Sequence, residues 1–248
     1  MSLTPEQFDR AAALEVSQQR VRDLQRMSAA EIRRLLTGDP AEALPWVRSA
    51  AEFGMAAAQV RLGHMLLEGL GVPRDQADGF SWFEHAAAQN DADALNMVGR
   101  CYENGWGVEV NLEKAVASYQ AAAQEGLDWG EYNYAHMLFD GRGIEQDRRR
   151  ALLWYGKAAN QGHGRAMNLV ARCLEEGWGC ARSPEDAAYW YRRSAETGYF
   201  RAQFNHALIL LQKGQRAEAI EWLQKASAGG DDKMKNAVAA VLATLSMP

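Results

Sequence analysis

The residues that could do chemistry form one column. His64, Arg100, His136 and Arg172 stand 36 positions apart. Beside them lie Glu103, Asn104, Asp140, Glu175 and Glu176, one helical turn further on, and Asn96 and Asn168, one turn before. Imidazole, guanidinium and carboxylate together can bind a metal, transfer protons, or hold a partner's polar groups. A shared metal is excluded for the histidines. His64 and His136 are two periods apart, and at about 8–10 Å per packed helix they cannot meet on one ion. Glu175-Glu176 beside Arg172 reads as a surface cluster rather than an acid–base pair. The cysteines Cys101, Cys173 and Cys180 have neither metal-ligand spacing nor the number of a disulfide framework. A buried thiol and a loop thiol describe Cys173 and Cys180. No phosphate-binding loop, HExxH or GxSxG is present, and no strand precedes the glycine pairs, so they are not a dinucleotide fingerprint. The remaining use is recognition. Asn can hold a peptide backbone and Arg a carboxylate. Tyr132, Phe139 and Trp129 would supply aromatic anchors. The plainer alternative is a solvated face whose Arg and Glu pair with each other at about 0–1 kcal/mol per pair.

The elements that position these residues are set by a repeat of 36. Gly69-Leu70-Gly71, Gly105-Trp106-Gly107, Gly141-Arg142-Gly143 and Gly177-Trp178-Gly179 share its spacing. So do Gly54, Asn90, Gly126, Gly162 and Gly198, and Trp46, Trp82, Ser118, Trp154 and Trp190. A fourth column holds Asp39, Asp75, Asn111, Asp147 and Ser183, side chains that accept from the free N–H groups at a helix start. Pro40 and Pro184 follow at the first helical position, where a missing N–H costs nothing. Each helix then ends at the Gly or Asn, in a left-handed conformation. Trp154, Tyr155, Ala158 and Ala159 make an apolar stripe on this second helix, and the tryptophan column is expected in the core. The first helix precedes the Gly-x-Gly turn, with Ala94, Val98, Cys101 and Tyr102 on one face. Gly63, Gly99, Ala135 and Ala171 are small where a neighbouring helix comes close. Trp106 and Trp178 are expected to pack back onto a helix.

The array is expected to span 41–231: a half unit 41–55, full units 56–91, 92–127, 128–163 and 164–199, and a shortened unit 200–231. Residues 1–40 should form N-terminal capping helices, at about 5–27 and 29–36, opened by capping boxes at Thr4 and Ser28. Residues 232–248 should form a C-terminal capping helix with Val238, Val241, Leu242 and Leu245 inward.

The second unit carries Ala94, Leu95, Val98, Gly99, Tyr102, Gly105, Gly107, Val108, Lys114, Ala115, Tyr119, Ala122, Ala123 and Gly126. On these residues, matched in the other full units, the repeat resembles the Sel1-like repeat, a relative of the tetratricopeptide repeat. The resemblance implies an all-α, right-handed α-α superhelix, a solenoid whose concave face is built from first helices. It also implies scaffold or adaptor roles in assembling other proteins. Secreted members with a disulfide in each repeat are a poor match, because the cysteine pairs are missing.

The concave-face candidates are therefore His64, Asn96, Arg100, Glu103, Asn104, Tyr132, His136, Phe139, Asp140, Asn168, Arg172, Glu175 and Glu176. Bulk properties agree with protein partners. The net charge is −5, against the basic excess of a nucleic-acid binder, and Arg148-Arg149-Arg150 sits beside Asp147 and Glu145 as a solvated helix start. No apolar run could span a bilayer. The start of the chain lacks the basic and apolar segments of a secretory signal, so a cytoplasmic protein is expected. Neither a cofactor nor catalysis is expected, and the chain should be a monomer or weak homodimer. Two alternatives stay open: self-association through the end helices, and an enzyme subunit with a site in the groove.

Overall fold

The computed structural model describes residues 5–245. Thr4, expected to cap the first helix, and residues 246–248 lie outside them. The described residues form fourteen α-helices and no strand. They fall into two compact units that divide after Glu125.

The first unit contains α1 (Pro5–Arg26), α2 (Ala29–Thr37), α3 (Pro40–Glu52), α4 (Ala56–Glu68), α5 (Gln76–Ala87), α6 (Ala92–Asn104) and α7 (Leu112–Gln124). Pairs α4–α5 and α6–α7 pack along their lengths, with α3 against α4 and α5 against α6. The second contains α8 (Asp128–Asp140), α9 (Arg148–Asn160), α10 (Gly164–Glu176), α11 (Pro184–Glu196), α12 (Phe200–Gln212), α13 (Arg216–Gly229) and α14 (Asp232–Leu245). There the pairs are α8–α9, α10–α11 and α12–α13, and α14 packs on α13.

Local chemistry sets these boundaries. Asp39, Asp75, Asn111 and Asp147 each accept a backbone N–H at the start of α3, α5, α7 and α9. Ser183 departs from the expectation. It stands at the cap position, but its hydroxyl donates to Asp186 Oδ2 at 2.6 Å and accepts no backbone bond. Ser28 and Glu31 form the expected reciprocal capping box. The second helices end at Gly54, Asn90, Gly126, Gly162 and Gly198, all with positive φ. Gly230, which ends the second helix of the shortened unit, differs from them with φ −94°.

Both glycines of each Gly-x-Gly turn have positive φ. The second has a further constraint. A Cβ on Gly71, Gly107 or Gly179 would collide with the backbone of Pro40, Gln76 or Arg148 at the start of the preceding second helix. The loop therefore seats one repeat on the previous one, a close approach only glycine permits.

The core corrects one expectation. Trp46, Trp82, Trp154 and Trp190 are half-buried, and the next residue along each helix is the buried one: Val47, Phe83, Tyr155 and Tyr191, with Tyr119 beside Ser118. One residue is about 100° around a helix, enough to move a ring from the core to its flank. At Trp154, Trp190 and Trp222 a cation one turn on covers the indole. Lys157 Nζ lies 3.6 Å from the Trp154 ring, and Arg193 and Lys225 cover Trp190 and Trp222. Gly63 and Gly99 leave room for the buried rings, since a Cβ there would strike Phe83 or Tyr119. In α14, Val238 is buried, and Val241, Leu242 and Leu245 pack on the same cluster.

Candidate functional site

The first helices of each unit border an open cavity. In the second unit it measures about 590 Å³. Tyr132 and His136 of α8 and Asn168, Arg172 and Glu175 of α10 line it, five of the residues expected from sequence. Arg165, Leu169, Tyr191, Tyr199, Arg201, Asn205 and Met234 complete the lining and were not anticipated. In the first unit a cavity of about 350 Å³ is lined by His64, Arg100, Leu67, Glu68, Arg74 and Trp106, among others.

Several of the candidates are engaged within the fold itself. Asn96 and Asn168 are buried, at 8% and 5% exposure, rather than open to a partner. Asn168 Oδ1 accepts from Asn205 Nδ2 at 3.1 Å. Glu103 and Glu175 are engaged internally. Each accepts from a tyrosine hydroxyl of the paired second helix, Tyr119 at 2.6 Å and Tyr191 at 2.7 Å. In the third repeat that position is Phe139, which cannot accept, and the equivalent Tyr155 hydroxyl turns to His136 Nδ1 at 2.9 Å. His136 Nε2 lies 3.5 Å from Asp140. Asn104 donates to the Arg100 carbonyl at 2.8 Å and so closes its own helix end. Phe139 packs on Trp178, with Arg148 over its ring. Asp140 and Glu176 are exposed and outside the cavity lining.

The arginines of the column are braced by the loops. Arg100 lies over Trp106 at 5.0 Å and Arg172 over Trp178 at 5.2 Å. These loop tryptophans thus pack back onto first helices and hold guanidiniums in place by cation–π attraction. His64 sits edge-on to Phe83, and burial lowers its pKa.

Tyr132 is the centre of the second cavity's aromatic wall. Its ring stacks on His163 at 4.8 Å, and Trp129 meets both rings edge-on. Burial raises the Tyr132 hydroxyl's pKa and Tyr199 adds to the rise, while Arg165 and Arg201 oppose it. Both guanidiniums line the same cavity as Tyr132. Arg165 also lies over Trp129, which is 42% exposed.

A sequence signal for these arginines exists. Arg165 and Arg201 are 36 apart, three residues before Asn168 and Phe204. The column is irregular, since it holds Ala57, Asp93 and Trp129 in the other repeats. Tyr191 and Met234 come from other elements, α11 and α14, and no periodicity of the first helix contains them.

Chemically, the cavity offers guanidiniums, amides and aromatic faces. The nearby Cys173 thiol is buried and pushed up to about 12, so it stays protonated, the reverse of what a nucleophile needs.

Residues 56–91, 92–127, 130–163, 164–199 and 201–231 each match the Sel1 repeat, together well over half of the chain. The chain belongs to the Sel1 repeat family. Among solved structures this Sel1 repeat protein is similar to c5321, a protective antigen present in uropathogenic Escherichia coli strains that displays an SLR fold. The identity is 29% and the TM-score 0.72, over 84% of this chain and 46% of that one. It is similar to a Sel1 repeat protein from Oxalobacter formigenes at 29% identity and TM-score 0.69, over 75% and 76% of the two chains. Among curated proteins it matches the DAP3-binding cell death enhancer 1 of Rattus norvegicus, 33% identical over 84 residues. That match spans 34% of this chain and 16% of the rat protein. Sel1 repeat proteins generally mediate protein–protein interactions, and the repeat is generally a non-enzymatic scaffold. No helix among the described residues is long and apolar enough to cross a membrane.

Proposed function

We propose that this Sel1 repeat protein is a scaffold or adaptor that holds a peptide or a partner protein on its first-helix face. Residues 1–40 and 232–248 then cap the array of 41–231. The observation that carries this reading is the second unit's cavity. Tyr132, His136, Asn168, Arg172 and Glu175 line one opening from two successive repeats, with the aromatic and arginine content typical of interface hot spots. The rat relative's name, which describes binding to another protein, supports the same class of function. The free thiols Cys101, Cys173 and Cys180 suit a reducing compartment such as the cytoplasm.

The test is affinity capture from the native cell's lysate, quantified by mass spectrometry. The bait is wild type, a Tyr132→Ala/Arg172→Glu variant, or a Leu153→Ala/Tyr189→Ala variant of exposed second-helix residues. On this reading, partners captured by wild type are lost with the first variant and kept with the second. Loss with the second variant alone would put the partner on the other face and contradict the proposal.

A further inference from the structure

The second unit's cavity is cationic in a chain of net charge −5. Arg165, Arg172 and Arg201 line it, and the carboxylate among its lining residues, Glu175, already accepts the Tyr191 hydroxyl. Among the described residues, none of the three arginines makes an ion pair. Arg165 and Arg172 rest on the faces of Trp129 and Trp178, and Arg201 on Phe200. Ring faces hold a guanidinium in position without neutralising it, so its N–H donors remain for an incoming anion.

The first unit's cavity differs in charge. In the first unit the column of Arg165 and Arg201 holds Ala57 and Asp93, neither of them cationic. Its lining includes Glu68, with His64 Nδ1 at 4.0 Å, and Arg74, whose Nε donates to the Leu67 carbonyl at 3.0 Å. It keeps one ring-held guanidinium, Arg100 over Trp106, where the second unit's cavity has three, so an anion finds a weaker site there.

We propose that the second unit's cavity receives side-chain carboxylates of an acidic peptide segment. This rests on the groove reading above and names the partner's chemistry. Planar guanidiniums match carboxylates in bidentate geometry. The rest of the lining suits a polypeptide. Tyr132, Tyr199, Leu169 and Met234 offer surface for a peptide's apolar atoms, and the half-buried Asn205 amide is placed for its backbone. A peptide brings carboxylates on methylene stems, and both parts find partners in this lining.

The test uses the full chain and fluorescein-labelled deca-glutamate, deca-glutamine and a ten-nucleotide oligothymidine in anisotropy titrations. Deca-glutamate is expected to bind at least about tenfold more tightly than deca-glutamine, and to weaken as salt rises from about 50 to about 300 mM. Arg165→Gln/Arg201→Gln should weaken deca-glutamate about tenfold or more with an unchanged melting curve, while Arg74→Gln leaves it within about twofold. Equal affinity for the two peptides, or no effect of the double variant, overturns the inference. So does tighter binding of oligothymidine, which would make the cavity a phosphate site. Failure of the groove reading looks different. There, native partners captured from lysate survive Tyr132→Ala/Arg172→Glu. If capture is lost with that variant but neither peptide is preferred, the groove stands and the acidic chemistry is wrong.

Discussion

Tyr119, Tyr155 and Tyr191 occupy one column, and each hydroxyl finds the hydrogen-bond partner its own repeat provides: Glu103, His136 or Glu175. The carboxylates of Glu103 and Glu175 therefore tie first helix to second before they can serve a partner. Tyr191→Phe keeps the buried ring and removes the hydrogen bond. It should lower stability by about 0.5–1.5 kcal/mol in urea unfolding. An unchanged midpoint would mean water satisfies Glu175 equally well. His163 makes a second prediction. Its Nδ1 accepts the Ala166 N–H at 3.1 Å, so the neutral ring carries its proton on Nε2, which is buried without a hydrogen-bond partner. Burial lowers its pKa below the ordinary 6.5, as it does for His64 and His206. The unfolded chain then binds protons that the folded chain resists. Stability is full above about pH 6.5 and falls as pH drops below it, until the folded-state pKa is passed. His163→Asn retains an N-cap acceptor and removes the titration. Its stability between pH 7 and pH 5 should fall less steeply than that of wild type. Parallel slopes would assign the acid sensitivity to other groups.

At the scale of helices and turns, the sequence is legible wherever the deciding chemistry is local. Caps at Asp39, Asp75, Asn111 and Asp147 and left-handed ends at Gly54 through Gly198 depend on a few consecutive residues, so their columns announce them. Which of two adjacent aromatics enters the core does not, because Trp154 and Tyr155 both fit an apolar stripe. The neighbouring helix decides, and it buries Tyr155. Tyr155→Ala should accordingly cost about 3–5 kcal/mol, and Trp154→Ala clearly less, since its ring stays half in water. Equal losses would contradict the packing. Gly126, at the end of a second helix, and Gly107, in a Gly-x-Gly loop, allow a similar comparison. Gly126→Ala meets only the left-handed penalty of about 1–2 kcal/mol, because a Cβ there touches nothing within 4 Å. Gly107→Ala adds a collision with the Gln76 backbone and should cost about 1–3 kcal/mol more in the same urea series. If both cost the same, the second glycine is there for its φ alone and the seating of repeat on repeat is not its role.

For the whole molecule, the family was legible because one pattern repeats through most of the chain, while the candidate site was only half legible. First-helix positions such as Tyr132 and Arg172 follow from helical spacing. Asn96 and Asn168 follow the same spacing but are buried, since helical phase does not say how deeply the next repeat covers a position. Tyr191 and Met234 reach the cavity from other helices. The central claim is that partners lie on the first-helix face of the second unit. It is tested most directly by placing p-benzoylphenylalanine at Tyr132 or, separately, at Leu153, which is 65% exposed on a second helix, and irradiating in the native cell. The account predicts a discrete crosslinked protein from position 132 and none from 153. A crosslink from 153 with none from 132 would contradict it.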